Sequence, residues 1–209
     1  MGRQSDARER LIVAAAQLWH ARSYGDVGVS EICEHAGVQK GSFYHFFPSK
    51  RELALAVIDE EWMRDGVGKM APLLTGPLPP LERILLFMDF GLEEQVALKA
   101  ATGATVGCPF GNLAVEMGNV DPVLRERLDR LFDEWAALLQ VPLDDAVAAG
   151  ELEPIDTWQA ARAMLAFMEG LGVIIKAKDD PHAVTDLLPL ILRLAGADPA
   201  RVERSVAGA

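Results

Sequence analysis

Three closely spaced breaks, Gly37, Pro48 and Ser49, interrupt apolar residues set at helical spacing, and they restrict residues 29–53 to a run of short helices joined by tight turns. Val29, Ile32, Cys33 and Ala36 follow the 0, 3, 4, 7 spacing of an amphipathic helix, and Gly37 stands where a left-handed C-terminal cap belongs. In the next short helix Phe43 and Phe47 lie four apart and face inward, while Lys40, Ser42, Tyr44 and His45 face out. Pro48 ends that helix, and Ser49-Lys50-Arg51-Glu52 fits a capping box that starts another.

Helix, glycine turn, helix is the helix-turn-helix pattern. Its outward groups suit nucleic acid. Gly41 has no side chain, so the backbone can approach a base edge or phosphate closely. Lys50 falls in a first helical turn, where backbone donors and a cation can hold one phosphate together. A longer helix is predicted upstream, from about Asp6 to Arg22, with Leu11, Ala15, Leu18 and Trp19 as its buried stripe and Ser5 as its N-cap. Charge points the same way. Residues 1–51 carry seven Lys and Arg against five Asp and Glu, a balance of +2, whereas residues 52–209 stand at −13. Nucleic-acid binding is therefore confined to the one end that is not acidic.

Three stretches have the order and spacing of a known family. They are Ile32-Cys33-Glu34-His35-Ala36-Gly37-Val38, Lys40-Gly41-Ser42-Phe43-Tyr44-His45-Phe46-Phe47 and Ser49-Lys50-Arg51-Glu52-Leu53. Through them residues 6–58 resemble the N-terminal domain of the TetR family of bacterial transcriptional repressors. The resemblance implies a ligand-responsive regulator that binds double-stranded palindromic operator DNA as a dimer and leaves it when a small inducer binds. It gives Ser42, Tyr44 and Lys50 phosphate contacts, and it lets Ser30, Lys40, Gly41 and His45 reach base edges. Two positions depart from the family. Val27-Gly28 replaces the usual hydroxyl residues before the second helix, and Gln39 replaces a serine before the third.

Beyond residue 53 the pattern stays helical, so an all-α chain is expected, with a DNA-binding domain over 1–52 and a ligand-binding and dimerisation bundle over 53–209. Leu53, Val57 and Ile58 open a connecting helix reaching about Lys69, ahead of a break from Pro72 to Pro80. Leu81, Ile84, Leu85, Met88, Leu92 and Val96 mark the next helix. Asp121-Pro122 starts one that carries Leu124, Leu128, Leu131, Trp135 and Leu138, with a kink or interruption expected at Pro142 and an end at Gly150. Two more helices follow, near Asp156 to Lys176 and His182 to Ala195. The first carries Trp158, Ala161, Leu165, Met168, Gly172 and Ile175; the second Val184, Leu187, Leu188, Ile191, Leu192 and Leu194. Their apolar arcs are wider than one packed face needs, and Gly170 and Gly172 permit close helix contact. The resemblance makes this pair the homodimer interface.

Met88, Phe90, Phe110, Met117, Trp135, Met164, Phe167 and Met168 supply large, soft groups for an apolar inducer pocket. Cys108 precedes Pro109, so a short helix to about Met117 puts its sulfur at an N-cap, where backbone donors stabilise a thiolate. The segment Gly107-Cys108-Pro109-Phe110-Gly111-Asn112-Leu113 also resembles one in a subset of the family, some members of which respond to electrophiles or oxidants. Sensing thiol and buried packing thiol both stay open here.

Other chemistry finds little footing. Cys33 belongs to the apolar stripe and points to a different face from Glu31, Glu34 and His35, so no metal or cofactor site is expected. No serine-hydrolase elbow, phosphate loop or dinucleotide fingerprint occurs, and no catalytic residues are assigned. A cysteine-dependent enzyme and a DNA-independent helical interaction protein are the alternative classes. The N-terminus lacks a signal-like apolar run, and the apolar stretch from Ala163 to Ile175 contains Glu169 and is too short to span a bilayer. No membrane partner and a cytoplasmic location are therefore expected.

Overall fold

The computed structural model describes residues 2–197, and it is helical with no strand among them. Helices α1 (Gly2–Ala21), α2 (Val29–Ala36), α3 (Lys40–Phe46) and α4 (Lys50–Glu61) open the chain. α4 passes into a π-helical stretch, Trp62–Met70, and then into one further turn, α5 (Ala71–Leu74). After these come α6 (Pro80–Thr102), α7 (Pro109–Met117), α8 (Pro122–Ala148), α9 (Thr157–Lys178), a 3₁₀ segment Pro181–Leu190 and a last turn, α10 (Ile191–Leu194).

Two compact units result. The first takes residues up to Met63 together with Cys108–Asp129. Its core is the predicted one with additions: Leu11, Ile12, Ala15, Val27, Ile32, Cys33, Phe43, Phe47, Leu53 and Val57 are all buried, with Leu18 and Trp19 packed at the edge. The second unit takes Arg64–Gly107 and the chain from Arg130 onward. Within it the 103–107 segment is stitched down at several points. The Gln95 side chain donates to the Gly107 carbonyl and accepts from its N–H, both at 3.2 Å, and Asp179 accepts the Thr105 N–H at 2.7 Å. That backbone hydrogen bond, aided by Lys99, holds the Asp179 carboxyl below its usual range.

Four expectations are corrected. Helix α1 begins at Gly2, so Ser5 lies inside it rather than at its cap. The connecting helix does not stop at Lys69 but runs through Pro72 to Leu74. The π-helical stretch lies directly ahead of Pro72, which has no N–H to continue an ordinary ladder. Of the kink or interruption expected at Pro142 the interruption is absent: α8 continues to Ala148, because Leu139, Leu143 and Ala146 on either side are fully buried and their packing outweighs the lost hydrogen bond. Residues 181–190 form a 3₁₀ segment, with α-helix only at Ile191–Leu194. Pro189 lies inside this segment and has no N–H to give to an α-helical ladder there.

Candidate nucleic-acid interface

The turn between α2 and α3 is built as its residues dictate. Gly37 sits at φ +62°, and the N–H groups of Gly37 and Val38 close α2 on the carbonyls of Glu34 and Cys33 at 3.1 and 2.9 Å. The two departures from the family are visible as uncapped starts: neither Gly28 before α2 nor Gln39 before α3 supplies a side-chain cap. Ser49 does cap α4, accepting the Glu52 N–H at 3.2 Å.

α3 is pinned by one aromatic edge. Phe43 has no exposed surface and meets Phe47 with ring centroids 5.9 Å apart. Burying such a ring is worth about 2–3 kcal/mol, enough to set the rotation of a helix this short. Lys40, Gly41, Ser42, Tyr44 and His45 are consequently exposed, as is Ser30 on α2, and 53% of Tyr44 is open to solvent. Six of the seven residues expected to touch DNA are therefore exposed on α2 and α3.

The seventh differs. Lys50 turns inward, its ammonium donating to the Tyr24 carbonyl and lying 4.1 Å from the centroid of the Tyr24 ring. Burial pushes the Lys50 pKa down, against the pull of Glu116 and Asp26. Burial, then Asp121, pushes the Tyr24 hydroxyl up. The same turn is held by a second side chain. The Glu116 carboxylate on α7 accepts the N–H groups of Tyr24 and Gly25 at 2.9 and 2.5 Å. Tyr24 and Glu116 escaped the sequence reading because 92 residues separate them and neither belongs to a motif.

Cys108 occupies the N-cap of α7, where its sulfur accepts the Gly111 N–H at 3.4 Å. Phe110 and Met117 are buried in the same unit, Phe110 edge-on to Trp62 at 6.3 Å. Met88, Trp135 and Met164 are buried in the second unit, and Phe90, Phe167 and Met168 are half-buried there. The expected inducer-binding residues thus divide between the two units. Around the weak metal candidate, Cys33 is buried with its thiol pKa raised, and Glu31 pairs with Arg22 at 2.8 Å. Among the described residues no three or more His, Cys, Asp or Glu side chains are grouped to hold a metal ion. No described helix is long and apolar enough to cross a membrane.

The family model for "Bacterial regulatory proteins, tetR family" matches residues 11–57, and that for "Tetracyclin repressor-like, C-terminal domain" matches residues 80–189. The transcriptional regulator AcuR of Cereibacter sphaeroides is 33% identical over 172 residues, which are 82% of this chain and 76% of that protein. The HTH-type transcriptional repressor NemR of Escherichia coli is 28% identical over 142 residues, 68% of this chain and 69% of that protein. A crystal structure of regulatory protein TetR from Rhodobacter sphaeroides aligns with a TM-score of 0.76 at 32% identity, covering 91% of this chain and 97% of that one.

Proposed function

The chain belongs to the TetR family of bacterial regulatory proteins and is a DNA-binding transcriptional regulator, and from that premise we propose that it is a dimeric repressor released from a palindromic operator by a small hydrophobic or electrophilic inducer. The observation that carries the reading is α3 itself: Phe43 buries the helix on one edge and leaves Lys40, Gly41, Ser42, Tyr44 and His45 open on the other. Lys40 and His45 would reach base edges with Gly41 and Ser30, while Ser42 and Tyr44 would hold phosphates. Lys50 would join them by exchanging the Tyr24 carbonyl for a phosphate oxygen. On this division of labour residues 1–52 read DNA and residues 53–209 bind inducer and dimerise.

The dimer face we assign lies on the last two helical segments, with its exposed apolar stripe on α9. Ala163, Ala166, Gly170, Val173, Ile174 and Ala177 are exposed, with 63% of Val173 open to solvent, and they recur at helical spacing along one side. Exposed apolar surface of this kind is the mark of an interface, and a two-fold pair would set two recognition helices about 34–36 Å apart on one face of the duplex. Cys108 supports an electrophilic inducer, since an N-cap sulfur stands in the field of the helix N-terminus. Footprinting on DNA flanking the coding region tests the whole reading. A protected palindrome, lost with Lys40→Ala and Tyr44→Ala together, is the expected result; unaltered protection by that double variant would remove α3 as the reading element.

A further inference from the structure

The recognition motif starts at Ser30 and leaves α1 out, yet the structure puts a cation of α1 beside α3. Most positive charges of the first unit are already committed. Arg8 holds Glu60 at 2.6 Å and lies over the Phe47 ring, Arg22 holds Glu31 at 2.8 Å, and Arg127 holds Asp59 at 2.6 Å. Arg51 lies 3.6 Å from Asp121, and Lys50 is on Tyr24. Arg10 is held as loosely as Arg51: its pairing among the described residues is a 3.5 Å contact from Nε to Asp6 one turn away, with 46% of the side chain exposed.

Its other end reaches the recognition element. Arg10 Nη1 lies 3.6 Å from where a Cβ on Gly37 would stand, directly over the turn between α2 and α3. A groove of about 560 Å³ opens there, and Arg10, Gly37, Gln39, Ser42 and His45 line it from both sides. Guanidinium, amide, hydroxyl and imidazole converge on one open channel that borders the exposed face of α3. A guanidinium is the side chain best shaped to grip a phosphate by two parallel hydrogen bonds.

We infer that this groove seats the DNA backbone and that Arg10 is a phosphate contact outside the helix-turn-helix, acting with Ser42. The inference rests on the proposed DNA-binding reading and adds a residue to it. Asp6 is the internal competitor that holds the guanidinium when no phosphate is present.

The test is the salt dependence of affinity for a selected operator duplex, compared for wild type, Arg10→Gln, Arg10→Lys and Asp6→Asn. Each phosphate neutralised contributes about 0.9 to the slope of log K against log salt, so losing one contact per subunit lowers the slope of a dimer by about 1.8. Arg10→Gln should show that drop with an unchanged thermal midpoint, Arg10→Lys should recover most of the slope, and Asp6→Asn should bind more tightly than wild type. An Arg10→Gln slope equal to wild type overturns the inference, as does weaker binding at constant slope, which would make Arg10 a structural residue. Wild-type binding then still stands, so this failure is distinct from failure of the functional reading, in which the wild type binds no operator.

Discussion

Removing the Glu116 carboxylate should loosen the turn that carries Tyr24 and Lys50. In the native chain it accepts two consecutive N–H groups, Tyr24 at 2.9 Å and Gly25 at 2.5 Å, across more than 90 residues of sequence. Glu116→Ala leaves both amides without that acceptor. Tyr24 is half-buried and its amide is poorly served by water, at a cost of about 1–1.5 kcal/mol; Gly25 is exposed, so its loss is nearer 0.5–1 kcal/mol. The expected destabilisation is therefore about 2 kcal/mol, read as a lower urea midpoint at constant slope. Glu116→Gln keeps one acceptor oxygen and should recover about half of it. Gly25→Ala supplies an independent route to the same state, because its Cβ would stand 2.8 Å from Glu116 Oε1 and drive the carboxylate off. The two changes remove one interaction, so Gly25→Ala with Glu116→Ala should cost little more than either alone. Additive losses, or a Glu116→Ala midpoint equal to wild type, would refute the clamp.

Three further outcomes follow from the same geometry. Phe43→Ala should cost about 3–5 kcal/mol by opening a cavity in the first unit's core, whereas Tyr44→Ala should leave the urea midpoint unchanged and weaken binding to all duplexes alike. Mass mapping after iodoacetamide treatment of the native protein should find label on half-exposed Cys108 and not on buried Cys33, and the labelled protein should lose its operator; Cys108→Ser should keep the operator under the same treatment. Burial raises the Asp65 carboxyl, but hydrogen bonds from Arg64 and Lys69 outweigh it and hold its pKa below the usual value. A carboxyl depressed in the folded state contributes stability above the unfolded value, about 3.9, and loses it as pH falls through the folded one. Wild type should accordingly lose more stability than Asp65→Asn between about pH 4.5 and 3, as followed by urea titration at each pH.

The first helices were legible because their signals are local. Gly37, Pro48 and Ser49 each impose a backbone state on the next few residues, and the structure adopts all three. Long-range chemistry was not legible. Lys50 is on the helix its motif assigns, but the direction of its ammonium is decided by Tyr24, which lies 26 residues upstream. Pro142 fails to interrupt α8 for a related reason: propensity speaks for the isolated segment, and the buried leucines around it hold the helix together by packing. On α9 the apolar pattern points to Ala161, Leu165 and Ile175, which the chain buries within itself. The exposed stripe starts from small groups, Ala163, Ala166 and Gly170, whose hydrophobic signal is weak one residue at a time, and takes in Val173 and Ile174 only toward the helix C-terminus.

The most direct test of the account is repeated selection of the purified protein on a random double-stranded DNA library at physiological salt, with sequencing of the bound pool. Two inverted half-sites about one helical turn apart, absent from the pool of the Lys40→Ala, Tyr44→Ala double variant, is the predicted result. A folded protein that enriches no sequence, or whose enriched sequence survives that double variant unchanged, would contradict it.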